Sequence, residues 1–143
     1  MDRHAEIAER GAKLLADSYA LYLKTHNFHW NVTGPMFNTL HNLFEEQYTE
    51  LAGAVDEIAE RIRTLGAYAP GSFSEYAELT DIAEARRGTG ATEMIEELAA
   101  DQLKVAEAAA AMASVASDAG DDVSEDLGIQ RQQVHEKNAW MLR

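Results

Sequence analysis

Residues 28–61 read FHWNVTGPMFNTLHNLFEEQYTELAGAVDEIAER, and the Gly34-Pro35 break inside that stretch decides the fold. Proline has no backbone N–H and disfavours helix in the residue before it, while glycine reaches turn conformations that other residues avoid. Downstream, Phe37, Leu40, Phe44, Gln47, Leu51, Val55, Ile58, Ile62 and Leu65 recur at spacings of three and four. That period predicts a long amphipathic helix, stopped by Gly66 as a C-terminal cap. Upstream, Ile7, Gly11, Leu14, Ser18, Leu21, Thr25 and Phe28 mark another helix from about residue 3 to 31, with small residues in its stripe. Two long helices joined by a few residues form an antiparallel hairpin.

Beyond Gly66 the pattern changes. Residues 66–90, GAYAPGSFSEYAELTDIAEARRGTG, are rich in Gly, Ser and Thr, with room for one short helix near 73 to 85. Thr92 followed by Glu93 reads as the start of a third long helix, carried by Ile95, Leu98, Gln102, Val105, Ala109, Met112 and Ala116. A fourth runs from about 123 to 141, with Asp122 and Glu125 spaced as in a capping box. No strand and no repeat emerges. The expected fold is all-α: a ferritin-like four-helix bundle whose long crossover, between helices two and three, carries a short helix. At 143 residues the chain fits one domain spanning 1–143.

Composition narrows the function. An apolar fraction of 46% suits a folded core, and no run of residues is apolar enough to cross a bilayer. The opening MDRHAEIAERGAKLL lacks the apolar segment of a secretory signal, and cysteine is absent. Thiolate metal sites, disulfides and cysteine nucleophiles are thereby excluded, and a cytoplasmic location is expected. The net charge of −13, with only four scattered lysines, opposes phosphate binding and favours divalent cations. Solubility or salt tolerance is the alternative reason for that acidity.

The chemistry resides in histidines and carboxylates. His29 closes helix one; His41 and Glu45 share a face of helix two, as do Asp56 and Glu60. Nitrogen and carboxylate donors together suit a first-row divalent metal. However, His41 and Asp56 stand fifteen residues apart on one helix, which is roughly 22 Å of rise. One ion with bonds of about 2 Å cannot join them along a straight helix. Either they are unrelated, or a second copy completes the site. Helix two packed antiparallel on its twin, with Ala52 and Gly53 allowing close approach, would bring His41 of one copy to Asp56 and Glu60 of the other. No histidine is preceded three residues earlier by glutamate, so the Glu-x-x-His motif of a di-iron site inside one bundle is missing.

The same residues carry a resemblance. His29-Trp30, Gly34-Pro35, Phe37, Leu40-His41, Phe44-Glu45, Tyr48 and DEIAER (56–61) resemble the signature of the Dps family, the mini-ferritins also called DNA-binding proteins from starved cells. The C-terminal HEKNAWMLR (135–143) is also similar to that family's last helix. The resemblance implies a hollow homododecamer that oxidises ferrous iron, preferably with hydrogen peroxide, and stores ferric mineral against oxidative stress. It implies metal ligation by His29 and His41 of one subunit with Asp56 and Glu60 of its partner. Glu45 then supports the site, Trp30 beside it is a candidate electron donor, and zinc is an alternative occupant. Asp122 and Asp126 have two readings, helix capping or an acidic pore that admits iron.

Two other classes compete: a DNA-compacting shell and a mononuclear metalloenzyme with a two-histidine, one-carboxylate triad. The former would place the protein at the nucleoid and needs a basic tail, whereas the residues before helix one are MDRH. Twelve copies would carry roughly −156 charges, so strong direct DNA binding is not expected. A gel shift at physiological salt without divalent ions should show no retardation at low micromolar protein; salt-resistant retardation would contradict this reading.

Overall fold

The computed structural model describes residues 2–143; Met1 of the expected short MDRH tail lies outside them. Its elements are five helices: α1 (Arg3–Asn31), α2 (Phe37–Thr64), α3 (Phe73–Leu79), α4 (Ala91–Asp118) and α5 (Asp122–Met141). The four long ones form the bundle and α3 sits in the crossover between α2 and α4. Phe28, Phe44, Leu21, Leu51, Ile58, Leu98 and Met112 are completely buried in one continuous core. They come from the apolar stripes of α1, α2 and α4, as a period near 3.6 requires.

The first turn is short because Val32 donates back to the Phe28 carbonyl at 3.0 Å and Gly34 takes φ +100°. Only glycine adopts that backbone readily, and Phe37 N–H then returns to the Gly34 carbonyl at 3.1 Å to begin α2. At the far end Gly66, φ +90°, closes α2 as expected, with Ala67 N–H on the Ile62 carbonyl at 3.2 Å.

The crossover is held by a buried carboxylate. Asp17 on α1 has no exposed surface; it accepts from the Thr80 hydroxyl at 2.7 Å and the Asp81 N–H at 2.8 Å, and pairs with Lys13. These bonds draw residues 80–81 out of helical conformation. The short helix therefore ends at Leu79, six residues before the expected limit near 85. Two caps also differ from expectation. Gly90, not Thr92, precedes α4 and offers no side-chain bond. Asp121, not Asp122, caps α5, because its carboxylate takes the Ser124 N–H at 3.0 Å while receiving two bonds from Arg61 of α2. Burial works to raise the Asp121 pKa, but the hydrogen bonds from Ser124 and Arg61 outweigh it and hold the carboxyl below its usual range.

Buried polar groups also join the long helices. Lys24 of α1, 3% exposed, lies 2.8 Å from Asp101 and 3.1 Å from Glu97 of α4. His135 of α5, fully buried, faces Gln102 of α4 through Nδ1 at 2.6 Å, and its Nε2 lies 3.1 Å from Arg131, which itself pairs with Glu50 of α2. Guanidinium can only donate, so Nε2 accepts and the ring is neutral with its proton on Nδ1. Burial first, and the Arg131 charge second, lower its pKa to about 3.

Close backbone approach sets the α4–α5 spacing. A Cβ on Gly128 would meet the Ala109 carbonyl oxygen at 2.8 Å and the Ala113 nitrogen at 2.9 Å. Gly128→Ala must push the helices apart and should cost about 1–3 kcal/mol, seen as a lower thermal midpoint. His135 generates a pH prediction. The unfolded chain protonates this histidine below its ordinary value of 6.5 while the folded chain does not until about 3. Its contribution is present above that window and is lost as pH falls through it, by at most about 1.4 kcal/mol per pH unit. Thermal midpoints measured from pH 7 to pH 4 should fall less steeply in His135→Gln than in the parent.

Candidate metal centre

His29 lies in the last turn of α1, where a helix leaves its final carbonyls without intrahelical partners. The His29 carbonyl is met instead by Nδ1 of His41 at 2.8 Å, and Nδ1 of His29 meets the His41 carbonyl at 2.7 Å. Carbonyl oxygens only accept, so both Nδ1 atoms carry a proton, and in the neutral rings it is Nε2 that offers a lone pair to a metal. The rings stack at 3.8 Å and 16°. This reciprocal pairing orients two imidazoles and assigns their tautomers before any ion arrives, the task that outer hydrogen bonds perform in metal sites.

Neighbours fix the pair from both sides. Phe37 stacks on His41 at 4.9 Å, and the edge of Tyr48 approaches His29 at 5.1 Å. The turn positions Phe37, and α2 places Tyr48 one face-repeat beyond His41. Glu45, one turn after His41, brings Oε1 to 4.0 Å from His29 Nε2. Donor atoms of His29, His41 and Glu45 all lie within 4.8 Å of one another. Ligands around one ion, with bonds of about 2 Å, stand at most about 4 Å apart. A small movement of the exposed Glu45 side chain would bring this trio into that range, leaving coordination positions for further donors.

The structure does not bring Asp56 or Glu60 to the histidines within the chain. Both are exposed farther along α2, as the helical rise demanded. Glu60 instead shares a shallow groove with Glu57 and with Asp126 of α5. Asp126 accepts from Gln130 at 3.0 Å, and Asp122 opens α5 exposed to solvent. Trp30, 58% exposed, packs on His26 with ring centres 3.8 Å apart and planes tilted by 38°, rather than on the histidine pair. Burial, followed by the charge of nearby His29, lowers the His26 pKa. Sequence reasoning did not find the ring-to-carbonyl exchange or the packing of Tyr48 against His29. The recurrence of aromatic residues at helical spacing from Tyr22 to Trp30 was the available signal.

Comparison with known proteins agrees with this architecture. The ferritin-like domain model matches residues 12–143. The chain is 42% identical to "DNA protection during starvation protein 2" of Bacillus anthracis over 132 residues, covering 92% of this chain and 90% of that one. The crystal structure of Dps from Staphylococcus aureus superposes with a TM-score of 0.93 at 38% identity, over 96% of this chain and 93% of the other. Dps from Vibrio cholerae, described as a member of the ferritin-like diiron-carboxylate superfamily, gives 0.94 at 31% identity, over 98% and 88%. The chain belongs to the ferritin-like proteins and, within them, to the Dps family. Among the described residues, no helix is long and apolar enough to cross a membrane.

Proposed function

We propose that this protein oxidises ferrous iron at sites shared by two subunits and stores the ferric product within a homododecameric shell, protecting the cell from peroxide. The observation that carries this reading is the pair of imidazoles whose Nδ1 atoms are engaged by each other's backbone carbonyls, with Nε2 left over as the donor and, among the described residues, only Glu45 as a carboxylate beside them. Two-fold pairing of α2 with its copy would supply Asp56 and Glu60 from the partner subunit. Ferrous iron is the substrate, and zinc would compete for the same mixed donors.

The residues divide the work by their chemistry. His29 and His41 bind as neutral nitrogen donors, held by each other's backbone carbonyls. Asp56, Glu60 and Glu45 supply negative charge that offsets the ferrous ions and the further charge developing on oxidation. Hydrogen peroxide accepts two electrons, one from each of two ferrous ions, and two protons complete two waters. The reducing power comes from iron, because ordinary carboxylates and imidazoles do not supply it. Asp122 and Asp126, exposed at the start of α5, would draw ferrous iron towards the interior where three subunits meet.

DNA compaction gains no support from the surface. Lys24 is buried in ion pairs and Lys13 is engaged with Asp17 and Asp81, which leaves still less basic surface than the sequence count suggests. The proposed function is tested by stopped-flow oxidation of ferrous iron with peroxide. The parent should react fast, and both His29→Ala/His41→Ala and Asp56→Asn/Glu60→Gln should lose the fast phase while retaining the assembled mass. Equal rates in the parent and the histidine variant would overturn the site.

A further inference from the structure

Polar side chains cross the middle of the bundle. Ser18, Gln47 and Gln102 stand in the otherwise apolar stripes of α1, α2 and α4, and none is more than 4% exposed. Ion pairs fix their heights. Arg61 reaches Asp121 and Glu50 reaches Arg131, so α2 and α5 run antiparallel. Gln47 comes one turn before Glu50, and His135 one turn after Arg131, which puts Gln47 and His135 at one level. His135 meets Gln102 through Nδ1 at 2.6 Å, so three helices contribute to that layer. On α1, Lys24 pairs with Asp101 and Gly11 faces Met112, so Ser18 falls about one turn from Gln102.

The unmet bonding capacity of this layer has a definite chemistry. His135 donates from Nδ1, so Gln102 must present Oε1 to it and turn its NH2 group elsewhere. That nitrogen finds no acceptor among the protein's atoms. Arg131 directs Nη1 and Nη2 at Glu50 and Nη2 at His135, and its Nε–H is likewise unmet. Gln47 has no partner at Nε2 or at Oε1, so flipping the amide relieves nothing; the Ser18 hydroxyl is also unpaired. Buried polar atoms left dry in that number would cost an amount comparable with the whole stability of a small domain.

The layer therefore calls for a neutral molecule that both accepts and donates. A cation does not qualify. The Arg131 guanidinium repels it, His135 Nδ1 carries a proton, and His135 Nε2 already accepts from Arg131, so this imidazole has no lone pair for a metal. Polar groups that converge without direct contact are spaced for a bridge. We propose that Gln47, Gln102, Arg131 and Ser18 hold resident water in the core of every subunit. An internal water makes about three hydrogen bonds, so these atoms accommodate about two molecules. Water oxygens accept from Gln102 Nε2 and Arg131 Nε, and water hydrogens go to Gln47 Oε1 and the Ser18 oxygen. This site lies within one chain, in contrast to the metal centre proposed at the subunit boundary.

Crystals of the assembled protein that diffract well enough to show ordered water test the site, with a second crystal soaked in zinc. The parent should show a water peak within about 3.2 Å of a Gln47 amide atom and of Gln102 Nε2 or Arg131 Nε. Gln47→Met has a similar length without the amide, and should lose that peak while the bond between His135 and Gln102 remains. Zinc should leave His135 unligated. A Gln47 amide bonded directly to protein atoms with no water beside it overturns the proposal, as does a peak unaltered by Gln47→Met. A zinc peak on His135 overturns it too, because the layer would then be a cation site. The parent crystals decide the matter even if the variant does not assemble.

Discussion

Two hydrogen bonds, each from an imidazole Nδ1 to the other histidine's carbonyl, tie the end of α1 to the start of α2. Much follows from that exchange. It satisfies a carbonyl that the terminating helix leaves unpaired, and it fixes the angle at which α2 departs. It also sets both proton positions, so the outward nitrogens are ready donors. A single interaction thus serves the turn and the site together. The Gly34 backbone at φ +100° permits the approach, while Phe37 stacks on His41 and Tyr48 meets His29 in a T-shaped contact.

The second governing constraint is the stiffness of α2. Roughly 22 Å of helical rise separates His41 from Asp56, because α2 runs as one continuous helix from Phe37 to Thr64. Side-chain ties elsewhere hold that helix in register with its neighbours. Arg61 bonds to Asp121 and Ser124 at the start of α5, Arg131 reaches back to Glu50, and Gly128 lets α5 lie close on α4. Asp17 keeps the crossover against α1. A rigid spacer with nitrogen donors at one end and carboxylates at the other is suited to a two-fold assembly in which each end meets its complement.

The helical framework was legible because it rests on periodicity. The stripes from Ile7 to Phe28 and from Phe37 to Leu65 place α1 and α2 within a residue or two, and the Gly-rich segment announces the crossover. Details governed by distant side chains were not legible. The end of α3 at Leu79 depends on Asp17, more than sixty residues earlier, and the choice of Asp121 as cap depends on Arg61. His135 gave no sign of burial, since its partners Gln102 and Arg131 meet it only once α4 and α5 are packed. For the site, residue types and spacing pointed to His29, His41 and the carboxylates of α2. The ring tautomers needed coordinates, because they follow from which carbonyl each ring faces.

The central claim is that the metal centre is divided between two copies of the chain. Anomalous scattering from crystals of the assembled protein loaded with ferrous iron or zinc tests it most directly. The account predicts a metal peak bonded to Nε2 of His29 or His41 from one subunit and to a carboxylate oxygen of Asp56 or Glu60 from its partner. A peak whose protein ligands all come from one chain, or no peak at the histidine pair, would contradict it.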